Sequence, residues 1–159
     1  MRMQKFFYAC FCFWISSSSF ATNVDPYSVT LKAREANVRV GPGSRYPLAW
    51  KFIRPGLPLM VLAEVGTWRK IRDVEGAEGW IQQNMITGRR TVMVIGQKRA
   101  LLKKPDPNAD VLAHVEPDVC ARLLEIRGNW VRIRIERLSG WLPRAHVWGI
   151  SKEEKEGRF

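Results

Sequence analysis

The sequence is short and strongly basic: 159 residues include 26 Lys and Arg against 15 Asp and Glu, a formal net charge of +11. Hydrophobic residues make up 46% of the chain and charged residues 26%, proportions that argue against a disordered or collagen-like protein. The length accommodates one medium domain or two small ones and excludes an elaborate multidomain enzyme. Such an excess of positive charge first suggests nucleic acid or an anionic membrane surface as a partner.

The first 21 residues have the three parts of a secretory signal peptide. Arg2 and Lys5 give a basic start, residues 6–15 are apolar without interruption, and residues 19–21 offer a small-x-small cleavage site. This apolar run is too short to span a bilayer, which needs about 20 residues. We therefore expect cleavage after Ala21 and a periplasmic or secreted mature protein. The alternative is that the segment is an apolar first helix of the fold.

Cleavage would change both the charge and the cysteine count. Because Arg2 and Lys5 are removed, the mature chain has a net charge of +9, and only Cys120 remains of the three cysteines. A single thiol forms no internal disulfide. Cys120 alternates with apolar residues, which predicts a small buried group; a reactive thiol and an intermolecular bridge are the alternatives. Export argues against nucleic acid as a partner and leaves at most a peripheral electrostatic contact with a membrane.

The remaining sequence contains one internal repeat. The tripeptide at residues 66–68, Gly-Thr-Trp, recurs as Gly-Asn-Trp at residues 128–130, and Gly-Trp-Ile at residues 79–81 recurs as Gly-Trp-Leu at residues 140–142. Two proline pairs recur at nearly the same spacing. The repeat predicts three parts after the signal peptide: unit one (residues 28–90), unit two (residues 91–150) and a charged tail (residues 151–159).

Each unit has the pattern of short strands separated by turns that contain Gly or Pro. No segment has the 3.6-residue apolar period of a helix. The predicted strands are residues 36–40, 48–52, 57–64, 68–73 and 78–82 in unit one, and 111–115, 119–125, 130–135 and 139–142 in unit two. This pattern predicts an all-β fold of small sandwiches or barrels. Residues 91–95 are apolar enough to form a strand that the two units share.

Three segments carry a resemblance to a known family. Residues 79–86 and 140–147 are similar to the closing segment of Src-homology-3 domains, and residues 36–44 at the front make unit one resemble the bacterial SH3-like domain. Unit two has residues 103–107 in place of the Gly-x-Gly turn of unit one. The pair resembles exported Gram-negative proteins that contain little beyond two such domains. The resemblance implies two tandem SH3-like barrels of five strands each and a binding role, commonly toward peptidoglycan or peptides.

Strand alternation places two tryptophans on outer faces, independently of this resemblance. In residues 130–135 the aliphatic side chains alternate with Trp and Arg, so the aliphatic face must be the core. An indole on the outer face should be covered by a loop, by the other unit or by a ligand. Two cation-flanked rows are therefore candidate ligand sites: Trp68, Lys70 and Arg72 in unit one, and Trp130, Arg132 and Arg134 in unit two.

The resemblance implies further candidate residues. In Src-homology-3 domains the corresponding Trp, a Pro and an aromatic residue of the closing segment line a peptide groove. The matching positions are Trp68, Gln82 and Met85 in unit one, and Trp130, Pro143 and His146 in unit two. Neither unit has the family's Ala-Leu-Tyr-Asp-Tyr run, which argues against proline-rich recognition. Trp80 and Trp141 each follow a Gly, and we interpret them as packing residues across the barrel end.

No combination of residues indicates catalysis, a metal or a cofactor. His114, His146 and Cys120 have neither zinc-site spacing nor the partners of a nucleophilic site, and no Gly-rich phosphate loop precedes a helix. We therefore expect a non-catalytic extracytoplasmic binding module without cofactors. Its partner would be peptidoglycan, a cell-wall peptide or an envelope protein. The alternative is a structural protein–protein adaptor whose two barrels pack on each other or on a partner, with no small ligand.

Overall fold

The structure is a computed structural model that describes residues 22–151 and 154–159. The predicted signal peptide and its cleavage site lie outside the described residues. The described chain consists almost entirely of β-strands in two antiparallel sheets, so the predicted all-β fold with two repeated units is confirmed. Within this part of the chain, no helix has the length and apolar character needed to cross a membrane.

The first sheet has seven strands: β1 (Thr22–Leu31), β2 (Ala36–Arg39), β3 (Leu48–Phe52), β4 (Pro58–Val65), β5 (Trp68–Arg72), β6 (Glu78–Gln82) and β7 (Ile86–Thr87). Their order in space is β3-β2-β6-β5-β4-β1-β7. A 3-10 turn at Gln83–Met85 connects β6 to β7. The sheet has two strands more than the five implied by the resemblance. The additional strands are β1, which pairs with β4, and β7, which pairs with β1 at Thr30 and Thr87.

The second sheet repeats this path. Its strands are β8 (Thr91–Val94), β9 (Arg99–Leu102), β10 (Val111–Val115), β11 (Cys120–Arg127), β12 (Trp130–Ile135), β13 (Leu138–Pro143), β14 (Val147–Trp148) and β15 (Gly157–Arg158). Their order is β10-β9-β13-β12-β11-β8-β14, and β15 pairs with β11 beside this path. A 3-10 turn at Arg144–His146 precedes β14, as in the first sheet. The sequence repeat therefore corresponds to a repeat of topology.

The structure corrects two expectations about strands. The strand expected to be shared by both units is β8, and it pairs only with β11 and β14 of the second sheet. Both of its edges are occupied within that sheet, so none is left for the first. Five further strands, β1, β7, β9, β14 and β15, were not among the predicted ones. β1 contains Asp25 and Pro26, and β7 and β14 have two residues each, which leaves no alternation to recognise.

Each sheet encloses its own apolar core. Leu59 and Ile71 are fully buried in the first, and Leu123 and Ile133 in the second. Strand alternation therefore directs the neighbours of Ile71 and Ile133 in β5 and β12 away from the cores. The isoleucines thus face the cores and their neighbours face outward, as the sequence predicts.

Trp80 and Trp141 are buried, with 8% and 6% of their surface exposed, but they belong to neither core cluster. Trp80 pairs across the strands with Lys70, and Trp141 pairs with Arg132. Directly paired residues of antiparallel strands share a face, so both indoles lie on the outer face. The guanidinium of Arg127 stands 5.0 Å from the Trp141 ring centroid. Both tryptophans are therefore buried on the outer faces of their sheets, outside the two core clusters.

The two units are in direct contact through small polar residues. The Thr91 hydroxyl donates to the carbonyl oxygen of Gly56 at 3.0 Å, and the hydroxyl oxygens of Thr30 and Thr91 are 2.8 Å apart. Gly149 is so close to Pro58 that a Cβ at position 149 would be 2.7 Å from the Pro58 Cβ. None of these contacts involves Trp68 or Trp130.

The C-terminal tail completes the second sheet. β15 pairs with β11 at Glu125 and Ile126. In the first sheet the matching place on β4, at Ala63 and Glu64, is taken by the start of β1. β8 begins at Thr91 and does not reach this part of β11. The tail therefore supplies unit two with the pairing that the start of β1 supplies to unit one.

A mostly buried ion pair fixes the tail to the linker between the sheets. Glu154 contacts both terminal nitrogens of Arg90, with the Arg90 Nη2 to Glu154 Oε2 distance at 2.9 Å, and the side chains are 13% and 10% exposed. Arg90 Nη2 also donates to the Gly149 carbonyl oxygen at 3.0 Å, and its guanidinium lies 5.4 Å from the Phe159 ring centroid. One arginine thus joins the linker, the end of unit two and the tail.

Glu154→Gln should lower the free energy of unfolding by about 2 to 4 kcal/mol, because it leaves the Arg90 guanidinium buried without its counter-charge. Urea denaturation of the wild-type and variant proteins measures this loss. The control is Glu35→Gln, which removes an exposed ion pair with Lys51 and should cost less than about 1 kcal/mol. Equal losses in both variants would contradict the role assigned to the tail.

Candidate functional site

The outer-face tryptophans have direct partners across the strands. Trp68 of β5 pairs with Gln82 of β6, and Trp130 of β12 pairs with Pro143 of β13. The two members of each pair share a face of their sheet. The resemblance had assigned both pairs to a ligand groove, and the structure brings each pair together.

Three candidate residues of unit one line a single cavity. Trp68, Gln82 and Met85 surround a space of about 280 Å³ at the outer face of the first sheet. The remaining walls come from the segment before β2, from β2 itself, from the loop that follows it and from β3. We call this site the Trp68 groove; its other lining residues are Glu35, Ala36, Asn37, Arg39, Ser44 and Lys51.

Arg69 fixes the two turns that carry the groove residues. Its Nη1 donates to the carbonyl oxygens of Gly66 at 2.8 Å and Trp68 at 3.0 Å, and its Nη2 donates to Oε1 of Gln83 at 2.8 Å. The β4–β5 turn leads into Trp68, and the 3-10 turn ends with Met85. By joining the two turns, Arg69 holds Trp68 and Met85 at a fixed separation.

The sequence contains one indication that Arg69 has a structural role, which is its position in the strand. Arg69 occupies the core-facing phase of β5, where the matching residue of unit two is Val131, which is fully buried. The Arg69 side chain is only 15% exposed. A cation at a core-facing position needs polar partners, and Arg69 finds them in the two turns. Its position out of phase with the apolar pattern was the available clue.

Arg39 fixes the opposite wall of the groove. Its Nη1 donates to the carbonyl oxygen of Tyr46 at 2.7 Å, which ties β2 to the loop of residues 40–47. The Tyr46 ring lies against Gly41 so closely that any side chain at position 41 would overlap it. The Gly-Pro-Gly turn at residues 41–43 thus leaves space for the Tyr46 ring. Unit two has residues 103–107 at the matching place and lacks such a turn.

The groove offers several kinds of contact in a small space. Lys51 and Glu35 form an exposed ion pair at 2.5 Å on its wall, and such a pair can exchange one partner for a ligand group at little cost. Asn37 and Gln82 add side-chain amides, and Trp68 adds an aromatic face. Sequence reasoning missed the charged residues because they come from a different hairpin than Trp68.

The outer-face cations of unit one lie beside the groove and are already paired. Lys70 Nζ is 2.8 Å from one carboxylate oxygen of Glu78, and Arg72 Nη2 is 2.5 Å from the other. The hydrogen bonds from Lys70 and Arg72 hold the pKa of the Glu78 carboxyl below its usual range. Neither cation lines the Trp68 groove. The structure therefore places Lys70 and Arg72 in an ion-pair cluster with Glu78.

The candidates of unit two are spread along one face. Arg132 and Arg134 are exposed, and Arg134 pairs across the strands with another arginine, Arg122. Trp130 is partly buried next to Pro143. Unit two therefore presents a row of like charges near its tryptophan, whereas unit one presents a groove with charges of both signs.

Cys120 is a free thiol, and it is only partly buried. It shares the strand phase of exposed Arg122, opposite buried Ala121 and Leu123, so it is not the buried group that the sequence predicted. Desolvation is the main cause that raises the pKa of the Cys120 thiol above its ordinary value; the charge of Arg54 opposes this rise. Among the described residues, no three His, Cys, Asp or Glu side chains are grouped so as to hold a metal ion.

The family model of the bacterial SH3 domain matches two segments of the chain, residues 32–88 and 96–149. The chain belongs to the bacterial SH3 domain family. The two matches cover well over half of its length and follow the repeat, so the family predicted from the closing segments and the front of unit one is confirmed.

Solved structures similar to this bacterial SH3 protein include NlpC1 and NlpC2 from Trichomonas vaginalis and an NlpC/P60 family protein from Bacillus cereus. Their sequence identities to the chain are 12%, 10% and 15%, and their TM-scores are 0.35, 0.37 and 0.34. The matches cover 82%, 82% and 76% of this chain, and 47%, 50% and 55% of theirs. The chain thus spans about half the length of these proteins. No curated protein matches it.

His146 should make the stability of this SH3 protein depend on pH. Desolvation and the charge of Arg99 lower the pKa of the His146 imidazole from its ordinary value of 6.5. The unfolded chain therefore binds a proton at His146 at higher pH than the folded chain does, and stability falls as the pH drops below about 6.5. His146→Gln should remove this part of the slope in urea denaturation between pH 7.5 and pH 5. A slope unchanged by His146→Gln would contradict the assignment.

Proposed function

We propose that the protein is a non-catalytic, exported binding module that recognises peptidoglycan or its peptides through the Trp68 groove. The observation that carries this proposal is the assembly of Trp68, Gln82 and Met85 around one cavity with charged and amide side chains on its walls. Membership of the bacterial SH3 domain family supports a binding role. The pattern of the first 21 residues supports export.

The size of the groove favours recognition of part of a polymer. About 280 Å³ lies below the usual range of pockets that enclose a whole small-molecule ligand, roughly 300 to 1,000 Å³. An open groove of this size accommodates one sugar ring or one or two side chains of a longer chain. The Trp68 ring offers a flat apolar face for stacking, and the amides of Asn37 and Gln82 offer donors and acceptors to the hydroxyl or amide groups of a wall fragment.

The net charge supplies a second, weaker attraction. The excess of cations is distributed over both units, +6 in residues 28–90 and +4 in residues 91–150. Diffuse positive charge attracts anionic wall polymers from a distance, and salt screens this attraction. The groove would then determine which group of the wall is bound, while the surface charge increases the rate of encounter.

Three features support a binding module over an enzyme. The only cysteine of the predicted mature chain has a raised thiol pKa, whereas nucleophilic cysteines have lowered ones. His146 and His114 lie in different elements, the 3-10 turn before β14 and the exposed side of β10. The groove itself is lined by neither histidine nor cysteine.

Retention on purified sacculi tests the proposal. Sacculi freed of protein by detergent and protease should retain the wild-type protein in 0.15 M salt, and Trp68→Ala should weaken retention by about fivefold or more, the loss of an aromatic anchor at a binding site. The matched control is Ile53→Ala, which removes an exposed apolar side chain just after β3 and should bind like wild type.

Salt separates the two attractions in the same assay. We expect partial release of the wild-type protein when salt rises to about 0.5 M, with the difference between wild type and Trp68→Ala maintained. Retention no greater than that of an unrelated protein of equal net charge would contradict wall recognition. Equal retention of Trp68→Ala and wild type would contradict the role of the groove.

A structural adaptor is the second candidate, and the contact between the units favours it. Thr30, Gly56, Pro58, Thr91 and Gly149 join the two barrels closely enough to present a partner with one continuous surface. An adaptor would bind crude envelopes and lose this binding once the protein has been stripped from the sacculi. The comparison of crude and stripped sacculi therefore distinguishes the adaptor from the wall-binding module.

A further inference from the structure

A second cavity, of about 430 Å³, lies where the two units meet. It has no lining residue in common with the Trp68 groove. The alternation of β3 separates the two sites, because Lys51 lines the groove while Trp50 and Phe52 line the cavity. Unit two contributes Met93 and Asp118. Both units therefore contribute to the walls of the cavity.

The floor of the cavity is apolar and aromatic. Trp50, Phe52 and Leu57 pack against the core of unit one, and all three line the cavity. The rings of Trp50 and Phe52 meet edge to face, with centroids 6.1 Å apart. Nε1 of Trp50 is buried and has no hydrogen-bond partner among the described residues. This donor lies below the cavity surface, so the Trp50 ring presents its apolar part to the cavity.

The rim of the cavity is acidic. It carries Asp73, Glu75 and Asp118. None of the three forms an ion pair with a described cation, although cations outnumber acids 26 to 15 in the chain. Arg54 Nη2 donates to the backbone carbonyl oxygen of Asp118 at 3.5 Å. One oxygen of Asp73 accepts from the backbone nitrogens of the β5–β6 turn, which leaves the carboxylates of Glu75 and Asp118 as the available charges.

We propose that this inter-unit cavity binds the side chain of a cationic peptide, an apolar chain that ends in a protonated amine. The aromatic floor receives the hydrocarbon part, and the carboxylates of Glu75 and Asp118 receive the ammonium group. The preference is opposite in sign to that of the surrounding surface, which attracts anions. The site is separate from the proposed function of the Trp68 groove and does not depend on it.

Benzylamine is a minimal probe, because it joins one apolar ring to one ammonium group, and benzyl alcohol is its neutral counterpart. We expect benzylamine to shift the Trp50 indole resonance saturably in nitrogen-edited NMR spectra of the full chain at 0.15 M salt, with that resonance assigned through Trp50→Phe. Benzyl alcohol should bind at least about fivefold more weakly, since it lacks the charge that the rim recognises. Equal affinities, or no shift at Trp50, would overturn the proposal.

The variant Glu75→Gln/Asp118→Asn tests the rim. Asp118 has a left-handed backbone with φ of 64°, and Asn adopts that conformation as readily as Asp does, so the variant should keep the fold. We expect it to bind benzylamine at least about fivefold more weakly than wild type. Asp25→Asn removes an exposed carboxylate of β1 that lies outside the cavity and should leave the affinity unchanged. Unchanged affinity in the double variant would overturn the proposal.

The two proposed sites can fail separately. Trp68→Ala should keep the full affinity for benzylamine, because Trp68 does not line the inter-unit cavity. A loss of benzylamine binding in Trp68→Ala would show that the probe binds the groove, and this outcome would overturn the cavity site while leaving the groove proposal standing.

Discussion

Full burial of Ile71 and Ile133 fixes the phase of β5 and β12, and the outer faces of both sheets depend on that phase. A shift by one residue would expose each isoleucine to water and turn Trp68 or Trp130 into a core with no space for an indole. The burial of one such side chain contributes about 1.5 to 3 kcal/mol, a large part of the stability of a small domain. The tryptophans therefore remain on the outer faces, where a loop or a ligand can cover their indole rings.

The two units share this strand arrangement and differ in the side chains of their outer faces and turns. In unit one, Arg69 and Arg39 hold the turns on either side of Trp68, so a groove forms with charges of both signs. Unit two has Val131 in place of Arg69, and its outer face presents exposed arginines instead. One topology therefore supports two different surfaces, and substitutions at a few strand and turn positions account for the difference.

Local pattern predicted much of the fold and part of the site. Residues 48–52 and 130–135 have the observed strand limits, because turns and alternation are visible within a few residues. β15 could not be predicted, since a two-residue strand shows no alternation and forms only by pairing with β11, which is distant in sequence. Within the groove, Trp68 followed from strand alternation and Met85 from the resemblance, whereas Arg39 did not, because it reaches the site from another hairpin. The inter-unit cavity depends on how two barrels meet, which neither repeat encodes alone.

Crosslinking in cells at position 68 tests directly whether the Trp68 groove contacts the cell wall. A photoreactive amino acid is introduced as Trp68→p-benzoylphenylalanine, and the matched control is Ile53→p-benzoylphenylalanine at an exposed site outside the groove. Irradiation should link the position-68 variant to high-mass material that a muramidase releases, and the control should give far less. A discrete protein adduct, or equal yields at both positions, would contradict this contact.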